Sequence, residues 1–183
     1  IATAYIFEGL DAPQYARNPE SGNLRDTPLE AIGKAVSSPK FALRLGGGSY
    51  QTEEGGKDAL VIIKNAGEFG CDLLFTPDKT RSPDPAVICS FGPLGRENFL
   101  LLHSDQGLVV QLRGDSGTIP TVLELGEITL GIPHYVSFAC KQGKVSAVVD
   151  GVQILANDDF QSPIAGWDEV SMVWGTAAAR KPA

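Results

Sequence analysis

Reactive and metal-ligating residues are scarce in this sequence of 183 residues, which has three cysteines, two histidines, two tryptophans and one methionine. Cys71, Cys89 and Cys140 are odd in number and lack a Cys-x-x-Cys spacing, which excludes a disulfide scaffold and a zinc site of that kind. Each lies in an apolar segment, so we expect three small buried side chains. Cys89 and Cys140 can pair only if their strands are neighbours, and the sequence leaves that open.

Long apolar runs and an excess of positive charge are also absent. No run of about 18 apolar residues occurs, so the sequence predicts no membrane-spanning helix and no membrane insertion. The formal net charge of −7 argues against nucleic acid or an anionic membrane surface as the main partner. With 43% hydrophobic residues the chain is too apolar to be disordered. Its length fits a single domain over residues 1–183.

A starting methionine is missing as well, since the chain begins at Ile1 and its one methionine is Met172. We therefore expect a piece of a longer exported or surface protein with neighbouring domains. Such a protein lies outside the cell, on its surface or in the periplasm. A leader that is removed leaves no trace in a mature chain, so the absence of one says nothing against this expectation.

Glycine and proline are abundant, with 21 and 12 residues, and they are spread along the chain. They separate short apolar or alternating segments, a pattern typical of strands joined by tight turns. Residues 57–66 fit one short helix that stops before Gly67, although their Leu-Val-Ile-Ile run also fits a strand. Residues 11–29 are predicted to be a long loop. The predicted strands cover residues 3–10, 41–45, 69–75, 86–91, 98–104, 108–113, 121–125, 134–141, 144–150, 152–155 and 169–174.

The pair Asp150-Gly151 lies between two alternating segments. This is the strongest short-range signal for a hairpin, because both residue types tolerate positive φ. Many short strands joined by such turns favour an antiparallel sandwich over a parallel α/β sheet. The sequence therefore predicts an all-β protein, a two-sheet antiparallel β-sandwich with one short helix.

Two segments resemble one superfamily. HYVSFACKQGKVSAVVDGVQI, residues 134–154, resembles the laminin-G-like group of the concanavalin A-like lectin/glucanase superfamily, with Gly143 in its turn and Asp150-Gly151 in its hairpin. AVICSFGPLGRENFLLLHSDQGLVVQLRG, residues 86–114, resembles the variant common in bacterial multidomain surface proteins. Each motif alone is unspecific, and their order along the chain carries the resemblance.

Further segments extend the resemblance and mark its departures. AYIFEGL, residues 4–10, resembles the opening strand of the family. FGCDLLFTP, residues 69–77, resembles another strand, with Phe75 where the family usually has tryptophan. The family closes with a strand after a glycine-rich turn. Either residues 169–174 are that strand or the sequence ends before it.

The resemblance implies a concanavalin A-like jelly roll and a non-catalytic recognition module that binds carbohydrate or a partner protein. The same superfamily includes glycoside hydrolases and polysaccharide lyases, so a glycan-active enzyme is the first alternative. A structural spacer within a multidomain protein is the second alternative.

A catalytic constellation is not evident in the sequence. A retaining glycosidase needs two carboxyl groups about 5–5.5 Å apart, and on one strand that means acids at positions i and i+2. None of the 22 acidic residues has another acid at that spacing. Lyases of this fold use histidine and tyrosine, and Tyr135 with His103 is the candidate pair. His134 instead matches a structural histidine of the family. We predict no catalytic residue, although a dyad drawn from different strands remains open.

Aromatic side chains are the usual contacts of a sugar ring. Trp167 lies in a Gly-Trp-Asp stretch and is expected to be exposed, whereas Trp174 continues an alternation and is expected inside or at an edge. Tyr135 and His103 are further candidate ligand contacts. A core position is the alternative for each of them.

Charged residues supply the remaining candidates. Arg113, at the end of its strand, can hold an acidic sugar or an acid of its own domain such as Asp115. Asp158 and Asp159 are the candidate ligands of a Ca²⁺ ion, because such sandwiches often bind Ca²⁺ through loop carboxylates and carbonyls. The alternative for these acids is a role in turns and on the solvated surface.

Overall fold

Alternation of apolar and polar residues builds most of this protein as strands, because successive side chains of a strand point to opposite faces. The computed structural model describes residues 16–17, 24–25, 30–33, 36–38, 42–44, 49–52, 55–80, 84–93, 95–113, 120–141, 144–157, 164–168 and 172–175. Within these ranges there is one α-helix, α1 (Gly55–Ala66), and one 3-10 turn, Ile164–Gly166. The strands are β1 (Ala16–Arg17), β2 (Leu24–Arg25), β3 (Glu30–Ile32), β4 (Val36–Ser38), β5 (Ala42–Arg44), β6 (Ser49–Thr52), β7 (Glu68–Phe75), β8 (Ala86–Phe91), β9 (Phe99–Ser104), β10 (Gly107–Leu112), β11 (Thr121–Gly126), β12 (His134–Lys141), β13 (Lys144–Val149), β14 (Val152–Asn157) and β15 (Met172–Gly175).

Two main sheets contain eleven of these strands. The larger sheet has seven strands in the order β11-β10-β9-β8-β15-β6-β3, and the smaller one has four in the order β14-β13-β12-β7. The pairs β1–β2 and β4–β5 form separate two-stranded sheets, and neighbouring strands are antiparallel throughout. The predicted all-β class with two antiparallel sheets and one helix is confirmed.

Most predicted strands are found, and the differences lie in short segments. The strands predicted from residue 69 onward correspond to β7–β14. The end of the predicted strand 169–174 corresponds to β15, which lies between β8 and β6, and residues 169–171 lie outside the described residues. The predicted strand 3–10 lies outside the described residues. The loop predicted for residues 11–29 is wrong where β1 pairs with β2. Strands of two residues are too short to show an alternation, and β3, β4 and β6, which have only three or four residues, were missed for the same reason.

The helix is confirmed and begins two residues earlier than predicted. Ala59 and Ile63, four residues apart and therefore on one face of the helix, are buried, whereas Val61 is exposed. Gly67 ends the helix with φ of 65°, and its N–H donates to the Ile63 carbonyl at 2.9 Å. This left-handed glycine is a common helix end. Within the described residues, no helix is both long and apolar enough to cross a membrane.

The core lies between the two main sheets and is rich in aromatic rings. The ring of Phe69 lies 4.9 Å from that of Phe99 and 5.2 Å from that of Trp167, which is in turn 5.9 Å from Phe91. Trp167 is 0% exposed, so the prediction that it lies at the surface is wrong. The 3-10 turn at Ile164–Gly166 directs its indole inward. Trp174 packs against the core, as expected.

The Asp150-Gly151 hairpin is confirmed, with φ of 51° and 80° at its two central residues. The Asp150 carboxylate accepts hydrogen bonds from the Tyr135 N–H at 2.8 Å and from His134 Nδ1 at 2.6 Å. His134 Nε2 lies 2.7 Å from the Thr129 carbonyl oxygen. Carbonyl and carboxylate oxygens only accept, so this geometry favours the imidazolium form of His134, in which both ring nitrogens donate. This buried ring ties the hairpin to the segment that precedes β12.

The His134–Asp150 pair makes stability depend on pH. Burial lowers the pKa of His134, but the hydrogen bonds to Asp150 and Thr129 and the Asp150 charge outweigh it and raise this pKa above its ordinary value. The hydrogen bond from His134 lowers the pKa of Asp150. His134 therefore stabilises the fold fully below about pH 6.5, and this contribution is lost as the pH rises through its raised pKa. Asp150 stabilises the fold above about pH 4, and this contribution to stability is lost as the pH falls through its lowered pKa.

We expect His134→Gln to reduce the free energy of unfolding by about 1–3 kcal/mol near pH 6, because it breaks hydrogen bonds of a charged group. The reduction should shrink as the pH rises through the raised pKa of His134, because the wild-type imidazole then loses its charge. Urea unfolding of both proteins over a series of pH values measures this difference. A reduction that is equal at every pH would contradict the ion pair.

Trp167→Ala removes the indole from the aromatic cluster and should lower the free energy of unfolding by about 3–5 kcal/mol. Ile154→Ala, at a side chain on β14 that is 44% exposed, is the control and should change it by less than about 0.5 kcal/mol. Urea unfolding with fluorescence or circular dichroism measures both. A loss below about 1 kcal/mol at Trp167 would show that the indole does not support the core.

Candidate functional site

The outer face of the larger sheet carries the candidate site. Phe99 and Leu101 of β9 face the core, so Leu100 and Leu102 face outward. Strand register places one outward residue of each neighbouring strand in a row across this face: Val173, Ser90, Leu100, Gln111 and Val122. Val173, Ser90 and Leu102 are buried, whereas Leu100 and Gln111 are partly exposed. The accessible part of this face therefore lies toward β9 and β10.

A cavity of about 300 Å³ lies at this place. The loop between β8 and β9, the end of β10 and the start of β11 contribute to it. We call it the arginine pocket, and its lining residues are Gly95, Arg96, Glu97, Leu100, Gln111, Arg113 and Pro120.

A tight loop brings Arg96 and Glu97 to the pocket. Gly92 has φ of 133°, and a Cβ at this position would lie 2.5 Å from the Asn98 nitrogen, so only glycine fits there. The Asn98 N–H donates to the Phe91 carbonyl at 2.8 Å and closes the loop. Inside the loop, the Glu97 carboxylate accepts from the Gly95 N–H at 2.8 Å.

Two arginines converge on one carboxylate beside the pocket. Arg113 Nη2 lies 3.0 Å and Arg96 Nη2 lies 3.7 Å from Asp168 Oδ2. The Arg113 side chain is 10% exposed, whereas those of Asp168 and Arg96 are 55% and 68% exposed. Asp168 therefore neutralises a buried guanidinium and leaves Arg96 largely in solvent. Arg113 also donates to the Arg96 carbonyl at 3.5 Å.

Asp168 is held in place through its backbone. Asn98 is fully buried, and its Nδ2 donates to the Asp168 carbonyl at 3.2 Å while its Oδ1 accepts from the Asp168 N–H at 3.3 Å. These two hydrogen bonds and the burial of Trp167, the preceding residue, fix where the Asp168 carboxylate lies. The counterion of Arg113 is thus positioned by the core.

Of the predicted ligand contacts, the structure places only Arg113 in this pocket. Its acid is Asp168, whereas Asp115 lies outside the described residues. Sequence reasoning missed Arg96, Glu97 and Asn98. They occupy a turn rich in glycine and proline, where charged side chains are typical of solvated loops. The sequence marked only Asn98, as the first residue of the predicted strand 98–104.

Tyr135 and His103 lie elsewhere. Tyr135 is on the outer face of the smaller sheet, where its hydroxyl donates to Asp72 Oδ1 at 2.8 Å, and this hydrogen bond raises the pKa of Tyr135. His103 is on β9 in the larger sheet, on the same face as Leu101. The candidate Tyr135–His103 pair for lyase chemistry is therefore wrong, because the two side chains belong to different sheets and Tyr135 points away from the core.

The candidate Ca²⁺ ligands Asp158 and Asp159 lie outside the described residues, so a Ca²⁺ site there stays a prediction. Asp78, another loop acid, accepts a hydrogen bond from the Lys79 N–H at 2.7 Å, which is turn geometry. In the part of the chain that the structure describes, no group of three or more His, Cys, Asp and Glu side chains is arranged to hold a metal ion.

Comparison with solved structures shows the fold. No known family model and no curated protein matches the sequence. Similar structures include the CBM40 of the Ruminococcus gnavus IT-sialidase bound to α2,3-sialyllactose (TM-score 0.50, 16% identity, 64% of this chain and 68% of that one). An endo-β-1,4-glucuronan lyase from the fungus Trichoderma reesei is also similar (TM-score 0.52, 12% identity, covering 80% of this chain and 74% of that one).

The binding domain of botulinum neurotoxin DC, solved in complex with rat synaptotagmin II, has a TM-score of 0.66 at 10% identity and matches 97% of this chain. The match spans less than half, 45%, of that domain. At these identities the likeness concerns the fold alone. It places this protein among the β-sandwiches of jelly-roll type.

Asp168→Asn tests whether Asp168 is the counterion that Arg113 needs. We expect it to reduce the free energy of unfolding by about 1–3 kcal/mol, because a buried guanidinium loses its charged partner. Glu68→Gln is the matched control, since Glu68 pairs with Lys141 and both are well exposed. The control should change stability by less than about 1 kcal/mol. Equal, small losses in urea unfolding would contradict the role of Asp168.

Proposed function

We propose that this protein is a non-catalytic carbohydrate-binding module of the laminin-G-like type and that the arginine pocket binds the sugar. The convergence of Arg96 and Arg113 on a cavity of about 300 Å³ in the outer face of the larger sheet carries this proposal. Ligand pockets usually measure about 300–1,000 Å³. The cavity therefore has room for a terminal sugar rather than for a long oligosaccharide.

The lining of the pocket matches the chemistry of a sugar. A hydroxyl group both donates and accepts, and the guanidinium groups and the Gln111 amide donate while the Glu97 carboxylate accepts. Arg113 has five N–H donors and uses two of them on Asp168 and Arg96. Leu100 and Pro120 add the apolar surface that the C–H face of a sugar needs.

Glu97 and Asp168 balance the charge of the two arginines, but the exposed Arg96 suits an acidic sugar. Arg113 is neutralised at 3.0 Å by Asp168, whereas Arg96 is 3.7 Å from this carboxylate and mostly exposed. Such an exposed guanidinium can form a bidentate, charge-assisted pair of hydrogen bonds with the carboxylate of a ligand. We therefore propose that Arg96 binds the carboxylate and that Arg113 orients the hydroxyl groups beside it.

The similar structures support a binding role and leave its partner open. One was solved with sialyllactose bound and another in complex with a protein, synaptotagmin II, while the lyase supports the enzyme alternative. Glycans with terminal acidic sugars are found mainly outside cells. We therefore propose an extracellular, cell-surface or periplasmic module that is joined to neighbouring domains of a longer chain.

Calorimetric titration with α2,3-sialyllactose, glucuronan oligosaccharides and lactose tests this function. We expect binding of at least one acidic glycan and weaker binding of lactose. Arg96→Ala should weaken the binding of that glycan about tenfold or more, because a charged hydrogen bond is worth about 1.5–3 kcal/mol and 1.4 kcal/mol is a factor of ten. Lys64→Ala, which removes an exposed positive charge on α1, is the control and should leave the Kd unchanged.

Two results would contradict the proposal. If no glycan binds, or if Arg96→Ala and Lys64→Ala have the same Kd as the wild type, the arginine pocket is not the sugar site. If the incubated glycans are cleaved, and if Glu97→Gln abolishes the cleavage, the protein is an enzyme rather than a binding module.

A further inference from the structure

Two cysteine side chains face each other across the sandwich. Cys71 lies on β7, in the smaller sheet, and Cys89 lies on β8, in the larger one. Their Sγ atoms are 4.0 Å apart. Both side chains point into the core, where Cys89 is buried and Cys71 is partly buried. The contact therefore joins the two main sheets.

The third cysteine has a different position. Cys140 lies on β12 and is fully buried, opposite Phe69 in the strand register. Its strand and that of Cys89 belong to different sheets. The sequence left open whether Cys89 pairs with Cys140. The structure instead places the thiol of Cys71 next to that of Cys89. All three cysteines are in the thiol form.

We propose that Cys71 and Cys89 are an oxidisable pair and that a small external disulfide converts them into a disulfide bridge between the two sheets. A disulfide bond is about 2.05 Å long, so the sulfur atoms must approach each other by about 2 Å. This approach requires rotation of the two side chains and an adjustment of β7. Bridges between the two sheets also occur in immunoglobulin sandwiches.

The position of Cys71 makes it the cysteine that reacts first with the external disulfide. Among the described strands of the smaller sheet, β7 lies at the edge, and Cys71 is the more exposed of the two residues, so a reagent reaches it first. The hydrogen bond from Cys89 lowers the pKa of Cys71, and the same contact raises the pKa of Cys89. The thiolate, which is the nucleophile, therefore forms at Cys71.

Glutathione disulfide serves as the oxidant in the balanced reaction. The Cys71 thiolate attacks one of its sulfur atoms, the glutathione S–S bond breaks, and one glutathione leaves as a thiolate. Cys89 then gives its proton to solvent and attacks Cys71 Sγ, which releases the second glutathione. The protein loses two thiol hydrogens and gains one S–S bond, while one glutathione disulfide is reduced to two glutathiones.

Peptide mapping tests the pairing in the wild-type chain. Trypsin cuts after lysine and arginine, so Cys71, Cys89 and Cys140 fall in separate peptides, residues 65–79, 82–96 and 114–141. After equilibration with glutathione disulfide and alkylation in denaturant, we expect peptides 65–79 and 82–96 to be linked and Cys140 to be alkylated. Three alkylated cysteines, a link to peptide 114–141, or glutathione retained on Cys71 would each overturn the proposal.

Thermal unfolding gives an independent readout. The bridge spans 18 residues and restricts the unfolded chain, so oxidation should raise the Tm by about 6–12 °C. Cys140→Ser should keep this rise, and Cys71→Ser and Cys89→Ser should lose it. If the Cys71→Ser protein shows the same rise, the bridge is not its cause. Glycan binding is measured separately, so failure of the bridge leaves the proposed function standing.

Discussion

The burial of Trp167 is the constraint on which the rest of this structure depends. Its indole packs against Phe69 and Phe91, one from each main sheet, and so links the two sheets through the core. The next residue, Asp168, therefore leaves the core at a fixed point, where it meets Arg113 and Asn98. The interior of the protein thus determines where the Asp168 carboxylate lies and, through it, the position of Arg113 in the arginine pocket.

A buried guanidinium needs a carboxylate partner, so the two arginines have different roles. Arg113, nearly enclosed, is stabilised by Asp168 and serves mainly to shape the pocket. Arg96 lies in a loop that Gly92 allows to fold back on itself, and it keeps most of its surface in water. Arg113 is thus held by its own domain and Arg96 stays exposed, as the proposed sugar site requires.

Local patterns predicted much of the fold. Period-two alternation identified β7 to β14, the Asp150-Gly151 pair identified its hairpin, and Gly67 identified the end of α1, because each depends on neighbouring residues only. The short strands β3 and β6 are defined by pairing with strands that lie farther along the chain, since β3 pairs with β6 and β6 with β15. No pattern within two to four residues can reveal such pairing.

The site was less predictable for the same physical reason. The direction of Trp167 depends on a 3-10 turn and on the cavity between two sheets, so its sequence context wrongly favoured exposure. Arg113 was identified because it ends a strand. Its partner lies 55 residues away, and no spacing rule connects the two. The cysteine pairing is likewise a product of sheet topology, because strand alternation shows only that each thiol is buried.

The most direct test of the account is a titration with α2,3-sialyllactose or glucuronan oligosaccharides, followed in ¹H–¹⁵N spectra that include the arginine side chains. Binding in the arginine pocket should shift the guanidinium resonances of Arg96 and Arg113 and the Gln111 amide, and should leave Tyr135 and Asp72 on the other sheet unchanged. Shifts confined to Tyr135 and its neighbours, with both arginines unaffected, would contradict it.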